Sequence, residues 1–158
     1  MPRLLELFSG TGRLGACFTS HGFEVVSIDC LAACNPTLVA DILTFDYTML
    51  GGTFDVVWAS CPCQMYSIAR SCAKTPRDLE GADALVRRAL EIIDWVKPRV
   101  FFLENPATGL LKTRDVVAGL KWFDIDYCQF GPPPGGAPYR KRTRIWTNVD
   151  VQAPRLCK

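Results

Sequence analysis

Short apolar runs, broken by glycine, proline and single acids, set the rhythm of this 158-residue chain. Residues 3–8 (Arg-Leu-Leu-Glu-Leu-Phe) read as a short buried strand. Gly10-Thr11-Gly12-Arg13-Leu14-Gly15 follows, a G-x-G-x-x-G pattern opening a helix through about His21. Residues 23–29 form a second strand ending in Asp29, a weaker strand is expected near Leu38–Ala40 before Asp41, and residues 54–59 form the next.

The apolar period then changes from strand-like to helical. Leu79, Ala82, Leu85, Val86, Ala89, Leu90 and Ile93 recur at helix spacing, so an amphipathic helix runs to about Val96. Thr75 suits its N-cap, Pro76 the first helical position and Asp78 the reciprocal acid. Residues 99–103 read as a strand entering Glu104-Asn105-Pro106, and a short helix is expected over Thr113–Leu120. Phe123–Phe130 and Thr143–Val149 read as two last strands around a Gly131–Pro138 loop too rich in proline and glycine for either element. Strand and helix alternate throughout, which predicts an α/β fold with a mostly parallel sheet in a single domain spanning 1–158.

Composition changes this picture little. Hydrophobic residues at 49% and charged residues at 22% are the balance of a globular domain. Charge is distributed unevenly: residues 1–60 hold 2 basic and 6 acidic side chains, leaving 16 basic and 10 acidic in residues 61–158. The second part therefore favours a polyanion. Eight cysteines would suit a secreted disulfide scaffold, but no leader or membrane-spanning run is visible. Free thiols in an intracellular, reducing compartment are expected. No Cys-x2-Cys pair occurs and His21 is the single histidine, so no metal site is expected.

Candidate chemistry collects at the strand ends, where open α/β sheets bind ligands. Gly10 and Gly12 allow backbone to approach a nucleotide, and Asp29 is placed for a ribose. Asp41 is placed to reach an adenine amine. Phe54 to Ser60 breaks into Cys61-Pro62-Cys63-Gln64, whose proline defines a turn around a candidate nucleophile, Cys63. Arg70 or Lys74 would favour its thiolate, whereas Cys61 is expected to face packing. Glu104 at the end of a buried strand is expected to have a raised pKa and to hold or donate a proton. Arg142 and Arg144 point to one face with Arg140 in line, a ladder for phosphate or an exocyclic oxygen.

Together these features resemble the DNA (cytosine-5)-methyltransferase family. Phe8-Ser9-Gly10-Thr11-Gly12 is similar to its cofactor motif, and Pro62-Cys63-Gln64 with Tyr66-Ser67 to its Pro-Cys-Gln-x-Phe-Ser loop. Glu104-Asn105 is similar to its Glu-Asn step and Arg142-Thr143-Arg144-Ile145 to its Arg-x-Arg-Val/Ile segment, in family order across residues 4–149. The resemblance implies a Rossmann-like, S-adenosylmethionine-dependent methyltransferase fold with an antiparallel last strand. It implies cofactor contacts from Phe8, Ser9, Gly10, Thr11, Gly12, Asp29 and Asp41, and catalysis by Cys63, Glu104, Arg142 and Arg144. Substrate contacts would come from Pro62, Gln64, Ser67, Asn105 and Arg140. In the implied mechanism Cys63 attacks C6 of a flipped cytosine, Glu104 serves N3, and Arg144 contacts the base oxygen.

Departures accompany the match. Arg13 follows Gly12 where the family continues with glycine, Ser60 and Cys61 precede Pro62, Pro106 replaces valine and Arg140 replaces glutamine. The chain ends at Lys158, so neither a target-recognition domain nor a cofactor-closing last segment is expected. The leading reading is a minimal or split enzyme acting on DNA, working with short loops or with a second chain that supplies target recognition, and with no membrane association. A viral or phage source would suit that reading. Alternatives are an RNA (tRNA) cytosine-5 methyltransferase, a catalytically silent regulator of the same fold, and a dinucleotide-binding oxidoreductase.

Overall fold

The computed structural model describes residues 1–131, 140–152 and 156–157. The apolar runs assemble into one seven-stranded sheet: β1 (Arg3–Leu7), β2 (Glu24–Asp29), β3 (Leu38–Val39), β4 (Val56–Ser60), β5 (Val100–Pro106), β6 (Lys121–Asp126) and β7 (Arg142–Thr147). Their order is β3-β2-β1-β4-β5-β7-β6. The first five strands are parallel, and β7 runs antiparallel to both β5 and β6. Strand order reverses between β1 and β4, so a crevice opens beyond their carboxyl ends.

Two α-helices, α1 (Arg13–Ser20) and α2 (Leu79–Val96), pack against the sheet. Period-two alternation sends Leu5 and Leu7 into the main core with Val57, Ala59, Leu103 and Trp146, where Ala82, Val86, Ala89 and Ile93 of α2 complete it. Each leucine, valine or isoleucine among them contributes about 1.5–3 kcal/mol through burial. The intervening Glu6 turns the other way, toward Gly15 of α1, where an added Cβ would collide with its carboxylate. Glycine there lets the first helix sit close to a charged group.

Four expectations shift. The second helix starts at Leu79, not at Pro76: Asp78 is its N-cap and accepts from the Gly81 amide at 2.8 Å. A carboxylate three residues downstream of Thr75 captures the helix amide of Gly81, and Thr75 instead accepts from Arg70. The expected Thr113–Leu120 helix is two 3-10 turns, Leu110–Thr113 and Asp115–Val117. The strand expected through Phe130 stops at Asp126, because Tyr127–Phe130 curls into a 3-10 turn. Cys128 and Cys157 are joined, so not all cysteines are free thiols. The Asp126 carboxylate holds the Cys157 amide at 2.8 Å and brings that sulfur beside Cys128. Most of the expected 131–138 loop, residues 132–138, lies outside the described residues. Among the described residues no helix is long and apolar enough to cross a membrane.

Candidate active site

A cavity of about 390 Å³ occupies the predicted crevice. Its wall takes Phe8 just after β1, Ile28 to Leu31 at the end of β2, Ala40 to Ile42 after β3, Ser60, Pro62 and Gln64 at the end of β4, and Leu85 of α2. Phe8 holds φ of 58°, a backbone state an aromatic residue rarely adopts, and strain of this kind collects at ligand sites. The following loop bends through Gly10 and Gly12 at φ of 51° and 68°, which explains glycine at both places.

Asp29 anchors this loop as well as lining the cavity. One carboxylate oxygen accepts from the Gly10 amide at 2.8 Å and the other from Leu31 at 2.9 Å. Asp41 lines the same wall, and its Oδ1 caps a turn by accepting from the Leu43 amide. Apolar Ile28, Ile42 and Leu85 flank the two acids. Ser9 is buried and its hydroxyl has no partner among the described residues, while Thr11 is exposed. Below the loop, burial raises the Glu6 carboxyl to about 7; the Gly15 amide opposes the rise and Asp29 adds to it.

Beyond β4 the two cysteines separate as expected. Cys61 is buried in the core, and burial, with Glu104 adding to it, pushes its thiol well up. Such a thiol stays protonated and unreactive. Cys63 is half-buried and free, between the cavity residues Pro62 and Gln64. Arg70 turns to Thr75 and Pro76 and is spent there. The fork of Arg77 grips the carbonyls of Met65 and Ser67, and the Ser67 hydroxyl accepts from the Ala69 amide.

Glu104 lies on β5 opposite Ser60 of β4, so acid and thiol turn leave adjacent strands on one edge of the sheet. Burial raises its carboxyl above the ordinary range, while Lys141, whose Nζ is 3.7 Å from Oε1, pulls it back. That Oε1 has no hydrogen-bond partner. Asn105 is fully buried, and its amide donates to the Cys61 carbonyl at 2.9 Å. It braces the thiol loop and has no surface to offer a substrate.

The three arginines form the expected row, but acids occupy them. Arg142 makes two hydrogen bonds to Asp126, at 3.0 and 2.9 Å, and Arg144 makes two to Asp124, at 2.8 and 3.0 Å. The bonds from Arg142 hold the Asp126 carboxyl below its usual range. Arg144 also stacks 3.5 Å over the Trp122 ring, and the exposed Arg140 bonds the Cys157 carbonyl. In the ladder Arg144 pairs with Asn105, and Ile145 with Glu104. Strand alternation therefore directs Arg142 and Arg144 to the sheet face opposite Glu104. Sequence reading missed Asp124 and Asp126, although their spacing of two mirrors that of the arginines. It also missed Leu85, Lys141 and Glu6, whose placement depends on tertiary contacts. Among the described residues no cluster of three or more His, Cys, Asp or Glu is placed to hold a metal.

Comparison with known proteins gives this geometry a family. Residues 2–118 match the model of C-5 cytosine-specific DNA methylases. A probable DNA (cytosine-5)-methyltransferase of frog virus 3 is 35% identical over 168 residues, covering 98% of this chain and 74% of that protein. Among solved structures, an E. coli prophage protein assigned as a DNA modification methyltransferase superposes with a TM-score of 0.67 at 16% identity, over 93% of this chain. The chain spans 46% of that protein's length. Magnesium protoporphyrin IX methyltransferase of Synechocystis, with bound S-adenosylmethionine, superposes with a TM-score of 0.53 at 15% identity, over 90% of this chain and 68% of its own length. The crevice at the strand-order reversal, the free thiol beside it and the half-buried acid on the next strand thus sit in a chain that belongs to the C-5 cytosine-specific DNA methylase family.

Proposed function

We propose that this chain methylates C5 of cytosine in DNA, with S-adenosylmethionine as donor and Cys63 as nucleophile. The observation that carries the reading is the half-buried, free Cys63 between the cavity residues Pro62 and Gln64, on the sheet edge that also holds the half-buried Glu104, whose carboxyl burial raises above its ordinary range. The residues present fit the donor. Asp29 and Asp41 would hold ribose and adenine amine, Phe8, Ile28, Ile42 and Leu85 would flank the ring, and the unpartnered Ser9 hydroxyl offers a further polar contact. When bound, the donor supplies an electrophilic methyl group.

The chain's own residues do the rest. Cys63 Sγ forms a bond to C6 of the base while Glu104 gives a proton to N3, so the ring accepts the electron pair without a buried anion. C5 becomes nucleophilic and takes the methyl as the sulfur–methyl bond of the sulfonium breaks, its electron pair staying on sulfur to leave S-adenosylhomocysteine. Loss of the C5 proton to water restores the C5–C6 double bond and expels the Cys63 thiolate, and N3 returns its proton to Glu104. Arg142 and Arg144 are held by Asp126 and Asp124 on the sheet face opposite Glu104, so the contact expected from Arg144 to the base oxygen is not part of this mechanism. The excess of basic over acidic side chains in residues 61–158 supports a polyanionic substrate. A second chain supplying target recognition is part of this proposal.

The test is transfer of labelled methyl from S-adenosylmethionine to cytosine-containing DNA, with RNA in parallel and with candidate partner chains added. Label in DNA that disappears with Cys63→Ala supports the reading. No transfer under any condition, or transfer that survives Cys63→Ala, overturns it. Transfer confined to RNA replaces the substrate and leaves the chemistry.

A further inference from the structure

Tyr66 lies three residues past Cys63 and is fully buried. A buried phenol needs a partner for its hydroxyl. Here Tyr66 Oη donates to Asp83 Oδ1 at 2.8 Å, and Asp83 Oδ2 accepts from Arg114 Nε and Nη2 at 2.9 and 2.6 Å. Asp83 is a buried position of α2, and Arg114 stands between the two 3-10 turns after β5. Burial pushes the Asp83 carboxyl up, but the bonds from Arg114 and Tyr66 outweigh it and leave the group below its usual range. Burial also raises the Tyr66 phenol, which therefore remains a donor.

The backbone of the same residue is used twice. Its amide donates to the Cys63 carbonyl at 3.1 Å and closes the thiol turn. Its carbonyl accepts from the Leu110 amide at 2.9 Å, in the segment that leaves Glu104-Asn105-Pro106. One residue thus joins the nucleophile turn, the main helix and the continuation of the acid-bearing strand.

We propose that Tyr66, Asp83 and Arg114 are positioning residues that fix the Cys63 turn relative to the Glu104 strand. This rests on the methyl-transfer reading above. The ring alone would fill the core; the hydroxyl adds a direction, because its bond to a carboxylate already oriented by Arg114 admits one placement of the turn. None of the three lines the cofactor cavity. Their removal therefore acts on transfer and not on donor binding.

Tyr66→Phe keeps the ring and deletes the hydroxyl. Transfer to DNA is measured below the unfolding transition of each variant. The expected result is a kcat lower by about tenfold, the size of one hydrogen bond to a charged group, with the KM for S-adenosylmethionine within about twofold. Arg114→Lys should recover much of the activity that Arg114→Met loses, and Tyr66→Phe combined with Asp83→Asn should fall no further than the worse single variant. A Tyr66→Phe kcat within about twofold of the unsubstituted chain, or losses that multiply in the double variant, overturns the proposal alone. Absence of transfer by the unsubstituted chain to DNA and to RNA, with candidate partner chains added, overturns the methyl-transfer reading and this inference with it.

Discussion

Asn105→Ala separates a brace from a substrate contact. The amide of Asn105 is the donor that satisfies the Cys61 carbonyl, in a residue with 0% exposure beside one with 4%. Deleting it leaves that carbonyl buried without this donor, which costs about 1–3 kcal/mol, and opens a void that adds about 1 kcal/mol. One contribution runs the other way: Asn105 Oδ1 itself has no partner, so its removal relieves an existing penalty. The balance is about 2 kcal/mol, or a shift of about 4–8 °C in Tm for a chain of this length. Urea or thermal unfolding followed by circular dichroism measures it, and kcat should fall with stability because the thiol loop loses its brace. Unfolding within about 0.5 kcal/mol of the unsubstituted chain would refute the reasoning, since surface substitutions give that much.

Three other outcomes follow from the same geometry. Lys141→Met removes the cation that opposes the burial of Glu104. The Glu104 carboxyl then rises further and stays protonated to higher pH, so the alkaline limb of the kcat profile should move upward; an unmoved limb contradicts the assignment of Glu104 as proton donor. Asp29→Ala deletes the acceptor of both the Gly10 and Leu31 amides and a wall of the cavity, so calorimetric affinity for S-adenosylmethionine should weaken by more than about tenfold. Glu6, with its carboxyl raised from 4.5 to about 7, binds its proton more tightly folded than unfolded. Its contribution is present below about pH 4.5 and is lost as pH rises through about 7; Glu6→Gln should flatten the fall in stability between those values.

Most strands were legible because each of β1, β2, β4 and β5 carries a short apolar run, Leu4-Leu5, Val25-Val26, Val56-Val57-Trp58 and Val100 to Leu103, with a glycine, proline or acid nearby to end it. The ends were less so. Asp78 and Thr75 both suit an N-cap, and only the contact of Thr75 with Arg70 decides between them. The turn at Tyr127–Phe130 carries as many aromatic residues as the strand before it, and nothing local marks the change. Within the site, Cys63, Glu104 and the cavity acids Asp29 and Asp41 were readable from motif and strand end. The acids that occupy Arg142 and Arg144, and the buried state of Asn105, were not, because pairing between β5, β6 and β7 is long-range. The Tyr66 to Asp83 bond spans 17 residues and Asp83 to Arg114 spans 31, separations at which no periodicity speaks.

The central claim is a covalent bond between Cys63 and cytosine C6 that is released only after the C5 proton departs. A cytosine carrying fluorine at C5 cannot complete that release, because fluorine does not leave as a cation. Incubation with such DNA and S-adenosylmethionine, followed by mass spectrometry of the denatured protein, should show a stable adduct mapped to Cys63 that is absent with Cys63→Ala. No adduct, or an adduct on another cysteine, would contradict the account.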